Sequence, residues 1–285
     1  MQTKWIVPAL LAIMVPSLST VAQAGTAAES FTQGEKSLAK GEFDEALQSF
    51  AAATRAEKGN QEYAQHYAIV RRVVDLRGRL DAEKNQQQWE YMARALRAFY
   101  VNERIYPELL KLDQVIHKRL NSAESAAMLA ETQLAMDQNL DAARTLSTLA
   151  SDKTTQTTQL LLGIAQTRNG KTDEAKRTAE QIRLPHDADS SLLYTAARLN
   201  AALGDSAKAT TLLKACFENT LPSLLDGFKS HAKACPEFAA IAATPEFVAV
   251  MKTESKVPES KCSGGSSCAG CPMRGQCPKS LGNSK

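Results

Sequence analysis

The chain has 285 residues, a formal net charge of +3, 44% hydrophobic residues and only 6% aromatic ones. So even a balance does not suggest nucleic acid or an acidic membrane surface as a partner. Alanine and leucine abound and no long alternating β-branched run occurs, so the composition predicts helices.

The first segment, MQTKWIVPALLAIMVPSLSTVAQAG, has the three parts of a secretory signal. Lys4 supplies the positive start, Trp5 to Leu18 the apolar stretch, and Ala22-Gln23-Ala24 the small-x-small cleavage site. Pro8 and Pro16 interrupt the apolar run, and it is short for a span of roughly 20 residues, which favours cleavage over anchoring. A signal peptide over 1–24 predicts an exported chain, periplasmic or secreted, with no integral membrane anchor after cleavage. About 260 residues then remain, enough for one or two compact domains, and the net charge falls to +2 without Lys4.

Self-similar segments follow. AKGEFDEALQSFAAA (39–53) carries Gly41, Phe43, Ala46, Phe50 and Ala53. YAQHYAIVRRVVDLRGRLDAEKN (63–85) reads as one helix with Tyr67, Val70, Val74 and Leu80 on one side. Residues 89–120 read as a helix pair broken near Pro107, with a turn near Arg104. AMDQNLDAARTLSTLA (135–150) places Gln138 at the turn, then Leu140, Ala143 and Ala150. RNGKTDEAKRTAEQI (168–182) has Gly170, Ala175, Ala179 and Ile182, and ALGDSAKATTLLKAC (202–216) has Gly204, Ala209, Leu213 and Cys216. Positions 138, 170 and 204 lie 32 and 34 residues apart.

This pattern resembles the tetratricopeptide repeat, a helix–turn–helix unit of 34 residues. A glycine between paired helices supplies a left-handed cap, and small residues along the second helix permit close approach to the first. Each pair leaves an apolar face that only a stacked neighbour covers. The expected fold is therefore all-α: a helical-hairpin solenoid over 25–220, clearest at 27–60 and 124–217 and degenerate over 61–123. Pro222, Pro236 and Pro245 bound short helices in 221–252. Leu224, Leu225, Phe228, Phe238, Phe247 and Val250 there would cap the open end of the stack. From 253 to 285 the chain is Ser, Gly, Lys and Pro with cysteines, too poor in apolar area to order itself.

The resemblance implies binding of a protein or peptide partner in a groove lined by first helices. Candidate groove residues are Glu131, Gln133, Arg168, Asn169, Arg198 and Asn200. No phosphate loop, His-Glu-x-x-His or Gly-x-Ser-x-Gly occurs, so no enzyme is expected, and nucleic acid is not an expected partner. The histidines, His66, His117, His186 and His231, are scattered. His231 and Cys235, at i and i+4, share a helix face that could hold a metal, though Pro236 makes a plain capping helix the simpler reading. Arg71, Arg72, Arg77 and Arg79 are offset by Asp75, Asp81 and Glu83, which reads as a solvated face. Cys216 stands where other repeats have Ala53, Ala150 or Ile182, so it reads as a buried small residue. A Cys216–Cys235 bond would pin the last repeat to the cap.

The tail segment KCSGGSSCAGCPMRGQC spaces Cys262, Cys268, Cys271 and Cys277 as Cys-x5-Cys-x2-Cys-x5-Cys. A Cys-x2-Cys pair lets two thiolates chelate one ion from a tight turn, so the four are candidate ligands for zinc or another soft metal. Two disulfides are the alternative expected of an exported chain with an even cysteine count. CAGCPMRGQC is also similar to the C-x-x-C-P segment of the scaffold ATPases that assemble iron–sulfur clusters, over ten residues. A cluster or a redox pair is the third reading. In the metal and redox readings the tail could be the functional site, with the repeats positioning it.

Overall fold

The structure, a computed structural model, describes residues 26–258. The signal segment 1–24 and the four tail cysteines lie outside those residues. The described chain is all-α and holds no strand. No helix in it is long and apolar enough to cross a membrane. It divides into two compact units, the first ending at Phe99 and the second beginning at Tyr100.

In the first unit, α1 (Ala27–Ala39) and α2 (Phe43–Ala56) form a hairpin, and α3 (Gln61–Leu80) packs on α2. Thr26 opens α1 with a capping box: its side chain accepts from Glu29 N–H, and Glu29 accepts from Thr26 N–H. The hairpin is tight because Gly34 lies against the Phe50 ring, where an added Cβ would sit 2.7 Å from Cε1. Phe31 stacks on Tyr63 at 4.6 Å and meets the His66 ring edge-on at 4.9 Å. Helix α3 is single, as its periodicity predicts, but its buried stripe is Val70, Val73, Leu76 and Leu80. Val73 takes the place expected of Val74, because it lies 3 and 7 residues before Leu76 and Leu80 and so shares their face of the helix. The arginine run is indeed a surface: Arg79 pairs with Asp75 at 3.4 Å, Arg72 donates to Tyr91 Oη, and Arg77 lies over the Phe43 ring. Helix α4 (Gln86–Asn102) buries Trp89, Met92, Ala93 and Leu96.

The second unit is a succession of hairpins. Helices α5 (Tyr106–Leu120), α6 (Ala123–Ala135), α7 (Asn139–Ser147), α8 (Gln156–Arg168), α9 (Thr172–Gln181), α10 (Ser190–Ala202) and α11 (Ser206–Asn219) follow in order. One backbone device recurs at the turns. Gly170 has φ +75, and Lys171 N–H closes onto Gln166 C=O at 2.9 Å. The same six-residue closure joins Glu42 to Ser37, Ile105 to Tyr100, Gln138 to Gln133, and Asp205 to Asn200. Each follows a residue with positive φ: Gly41, Arg104, Asp137 and Gly204. This closure satisfies the last carbonyls of one helix while its final residue caps the next helix.

The turn near Arg104 is where the sequence predicts it, but the turn of the 135–150 segment is one residue earlier than expected. Asp137, not Gln138, is left-handed. Ala142 and Leu146 are buried, whereas Leu140 is 65% exposed. An aspartate tolerates positive φ better than most residues, and the shift brings Ala142 and Leu146 into register with Ala175, Ala209 and Leu213.

First helices begin alike. Ser122, Thr155 and Asp189 each accept a hydrogen bond from the backbone N–H three residues on. Helix α8 packs on both α6 and α10, so the first helices form a row. Gly163 allows the α8–α10 approach: a Cβ there would lie 2.8 Å from Leu199 Cδ1.

The cap consists of α12 (Pro222–Ala234), a 3-10 turn over Pro236–Phe238, and α13 (Pro245–Val250). Leu225, Phe238, Phe247 and Val250 are buried with Tyr194, Leu213 and Phe217, but Leu224 is 54% exposed. Burying each of the large cap side chains contributes about 1.5–3 kcal/mol. The described chain then returns along α11, where Lys256 pairs with Glu218 at 2.9 Å.

Candidate functional site

Three elements of the second unit bring polar groups together. Arg168 ends α8, Tyr194 and Arg198 lie on α10, and His231, Cys235 and Glu237 come from the cap. The Glu237 side chain is 1% exposed. Its Oε1 accepts from Arg168 Nε at 2.6 Å and Nη2 at 2.5 Å, and its Oε2 accepts from Arg198 Nε at 3.2 Å. The Cys235 thiol also donates to Oε2, at 2.7 Å. Arg168 Nη1 donates to Leu134 C=O at the end of α6, at 2.7 Å, and lies 3.9 Å from the Asp137 carboxylate. One arginine therefore ties two successive first helices to the cap.

The electrostatics follow from this arrangement. Burial works against the Glu237 charge, but Arg198, the Cys235 hydrogen bond and Arg168 outweigh it and hold the carboxyl below its ordinary value. Burial also opposes the Arg198 charge, and Glu237 more than offsets that, so the guanidinium titrates above its usual range. Burial pushes the Cys235 thiol up to about 11, so at neutral pH it is an S–H donor and not a nucleophilic thiolate. His231 is lowered by burial and then by Arg198. Tyr194 is raised, chiefly by burial. The Tyr194 hydroxyl and His231 Nδ1 share a hydrogen bond at 2.5 Å.

The structure uses the expected groove residues mostly for itself. Gln133 is buried and accepts from Thr145 at 3.0 Å, and Asn200 donates to Ala196 C=O at 2.7 Å. Arg168 and Arg198 hold Glu237, and Asn169 is half-buried with Nδ2 unpartnered. Glu131 alone of the six is exposed. Helix α10 is enclosed by α8, α11 and the cap together, so residues 193–201 are all buried, and the cap supplies the Glu237 that Arg168 and Arg198 hold.

His231 pairs with Tyr194, and Cys235 pairs with Glu237. Among the described residues no three His, Cys, Asp or Glu side chains are placed to hold a metal ion. Cys216 is buried as expected, and its thiol is pushed up to about 12, chiefly by burial. The Cys216–Cys235 bond is not formed; both thiols are free. His117 lies elsewhere, 3.1 Å from Ser125 Oγ. The assigned metal ligands Cys262, Cys268, Cys271 and Cys277 lie outside the described residues.

Sequence reasoning missed Glu237 and Tyr194. The available signal was the single carboxylate in CPEFAAIAA, a run otherwise apolar and bounded by proline. Comparison with known proteins adds no assignment: no family model, no curated protein and no solved structure matches the chain.

Proposed function

We propose that this protein is an exported repeat scaffold that binds a protein or peptide partner along its first helices, and that the cap closes the row at α10. The observation that carries this reading is the recurrence of one hairpin at left-handed turns 104, 137, 170 and 204, with α6, α8 and α10 adjacent in a row. Repetition of a single unit gives an extended face on which a segment meets equivalent positions one after another. The fold class alone carries little function, so the reading stands on that face. Export rests on the signal-like segment 1–24.

The test is a photo-crosslinking residue at Glu131, exposed on α6, compared with one at Lys176, exposed on second helix α9, in cells that export the protein. A discrete adduct from position 131 and none from 176 supports a first-helix partner. Adducts of equal yield from both positions, or none from 131, would refute it.

The tail supports a second reading, a metal-handling or redox-responsive protein. Its basis is the Cys-x5-Cys-x2-Cys-x5-Cys spacing. Changing all four tail cysteines to serine separates the two. Loss of metal tolerance with an unchanged adduct at 131 favours the tail as the functional site.

A further inference from the structure

Apolar cover is all that the end of a helical stack requires. This cap adds a buried polar segment. Cys235 is extended, at φ −74 and ψ 122, and Pro236–Phe238 form a single 3-10 turn. The stretch between α12 and α13 therefore meets α10 as a short linear segment and not as a helix face. Two adjacent side chains make its contacts. Glu237 accepts hydrogen bonds from Arg168 and Arg198. Phe238, also buried, meets the Tyr194 ring edge-on at 6.0 Å and lies 5.7 Å from the Phe247 ring.

The receiving groups belong to the row. Arg168 and Arg198 come from two successive first helices, and Arg168 also holds Leu134 C=O of a third. Two further carboxylates act on the pair. Asp137 is exposed and 3.9 Å from Arg168, beyond hydrogen-bond reach, and Glu131 is exposed on α6 and acts on Arg198 through space. Neither takes the place of Glu237, whose oxygens accept from both arginines and from the Cys235 thiol. What α8 and α10 receive here is one buried carboxylate with an aromatic ring next to it.

We propose that Cys235–Phe238 is a ligand carried in cis, which occupies the α10 end of the row until a partner segment takes its place with the same pair, a carboxylate residue followed directly by an aromatic one. This rests on the reading of the first helices as a peptide-binding face and specifies the partner where it meets α10. The exchange is like for like: each buried pairing that the cap gives up, the partner remakes, so neither arginine is left uncompensated. Helices α12 and α13 stay on the core through Leu225, Phe247 and Val250. A tethered segment competes at an effective concentration on the order of millimolar, so loosening it raises the partner's affinity.

Cys235 reports the exchange, because its thiol is buried and bonded to Glu237. The full-length protein is titrated to millimolar concentration with the capped peptide Ser-Ala-Pro-Glu-Phe-Ala-Ser. Iodoacetamide labelling is mapped by peptide mass spectrometry, with buried Cys216 on α11 as the reference for general unfolding. The peptide should speed labelling of Cys235 and leave Cys216 unchanged. Counterparts with glutamine for glutamate, or alanine for phenylalanine, should bind about tenfold more weakly, as expected for loss of one contact to a charged group or one buried ring. Fluorescence anisotropy of the labelled peptide should show tighter binding to Glu237→Gln and to Phe238→Leu, which loosen the cap's own ligand in different ways. If Glu237→Gln does not fold, the wild-type titration and Phe238→Leu carry the test.

Four results would overturn the proposal: Cys235 unmoved by the peptide, Cys216 rising with it, equal action of the three peptides, or a dimer that keeps Cys235 protected against all of them. The last would assign the segment to a second copy of the chain. Failure here differs from failure of the groove reading. A crosslink at 131 in a protein whose Cys235 ignores the peptide removes the cis ligand and leaves the groove. Cys235 exposed by the peptide with no crosslink at 131 removes the extended groove and leaves a site for an acidic–aromatic segment at α10.

Discussion

Glu237→Gln is the substitution that most directly probes how the cap is held. The replacement keeps the volume and one acceptor oxygen, which can still take a hydrogen bond from Arg168. Its amide nitrogen, however, is a donor, and it would face the Arg198 Nε–H that now points at Oε2. Two guanidinium groups, with side chains 14% and 9% exposed, are left without their shared counter-charge. If only neutral hydrogen bonds were lost the cost would be about 0.5–1.5 kcal/mol each. Removing one partner from a buried charged set costs about 3–5 kcal/mol, and that larger figure applies here. For a unit of this size it corresponds to a fall in Tm on the order of 10 °C.

Urea and thermal unfolding of the full chain at neutral pH measure the loss, and alkylation of buried Cys235 reports opening of the cap itself. The pH dependence adds a second check. The folded-state pKa of Glu237 is depressed, so its contribution is present above the ordinary carboxylate value and is lost as pH falls through that value towards the folded one. The gap between wild type and variant should therefore close in acid. A loss below about 1 kcal/mol at neutral pH would refute the reasoning, because the triad would then be breaking even against its desolvation. A gap independent of pH would refute it as well.

Three glycine-to-alanine changes should differ in sign. Gly78→Ala, inside α3 with open space at the Cβ position, should stabilise by about 0.5–1 kcal/mol. Gly170→Ala, also unobstructed but at φ +75, should destabilise by about 1–2 kcal/mol. Gly34→Ala should cost about 1–3 kcal/mol, because the fully buried Phe50 ring stands 2.7 Å away and has nowhere to go. Chemical denaturation ranks all three, and a common sign would show that backbone and packing are misassigned. His231, whose pKa is lowered in the fold, binds fewer protons there than when unfolded. Stability should therefore fall as pH drops from about 7 to 5, and His231→Gln should flatten that slope. For the tail, anaerobic purification followed by metal analysis and alkylation under denaturing conditions should find near-stoichiometric zinc or copper, with all six cysteines alkylatable once the metal is removed. Two reactive thiols and no metal, matching free Cys216 and Cys235, would instead mean that the tail is closed by disulfides.

Much of the fold was legible because it is written locally. The turns at Gly170 and Gly204 and the stripe of Ala175, Ala209 and Leu213 each depend on residues within a few positions of one another. Where a local signal was ambiguous the reading slipped by one residue, as at Asp137 and Gln138, and only burial of Ala142 and Leu146 decided the register. The polar site was not legible. Glu237 meets Arg168 across 69 residues and Arg198 across 39, and no periodicity links them. Arg168 and Arg198 were picked out as groove residues by their place on first helices, but their partner depended on where the cap came to rest. Helices follow from neighbours along the chain, whereas a buried carboxylate is tolerated only where tertiary packing delivers its counter-charges, and those came from two helices distant from it in sequence.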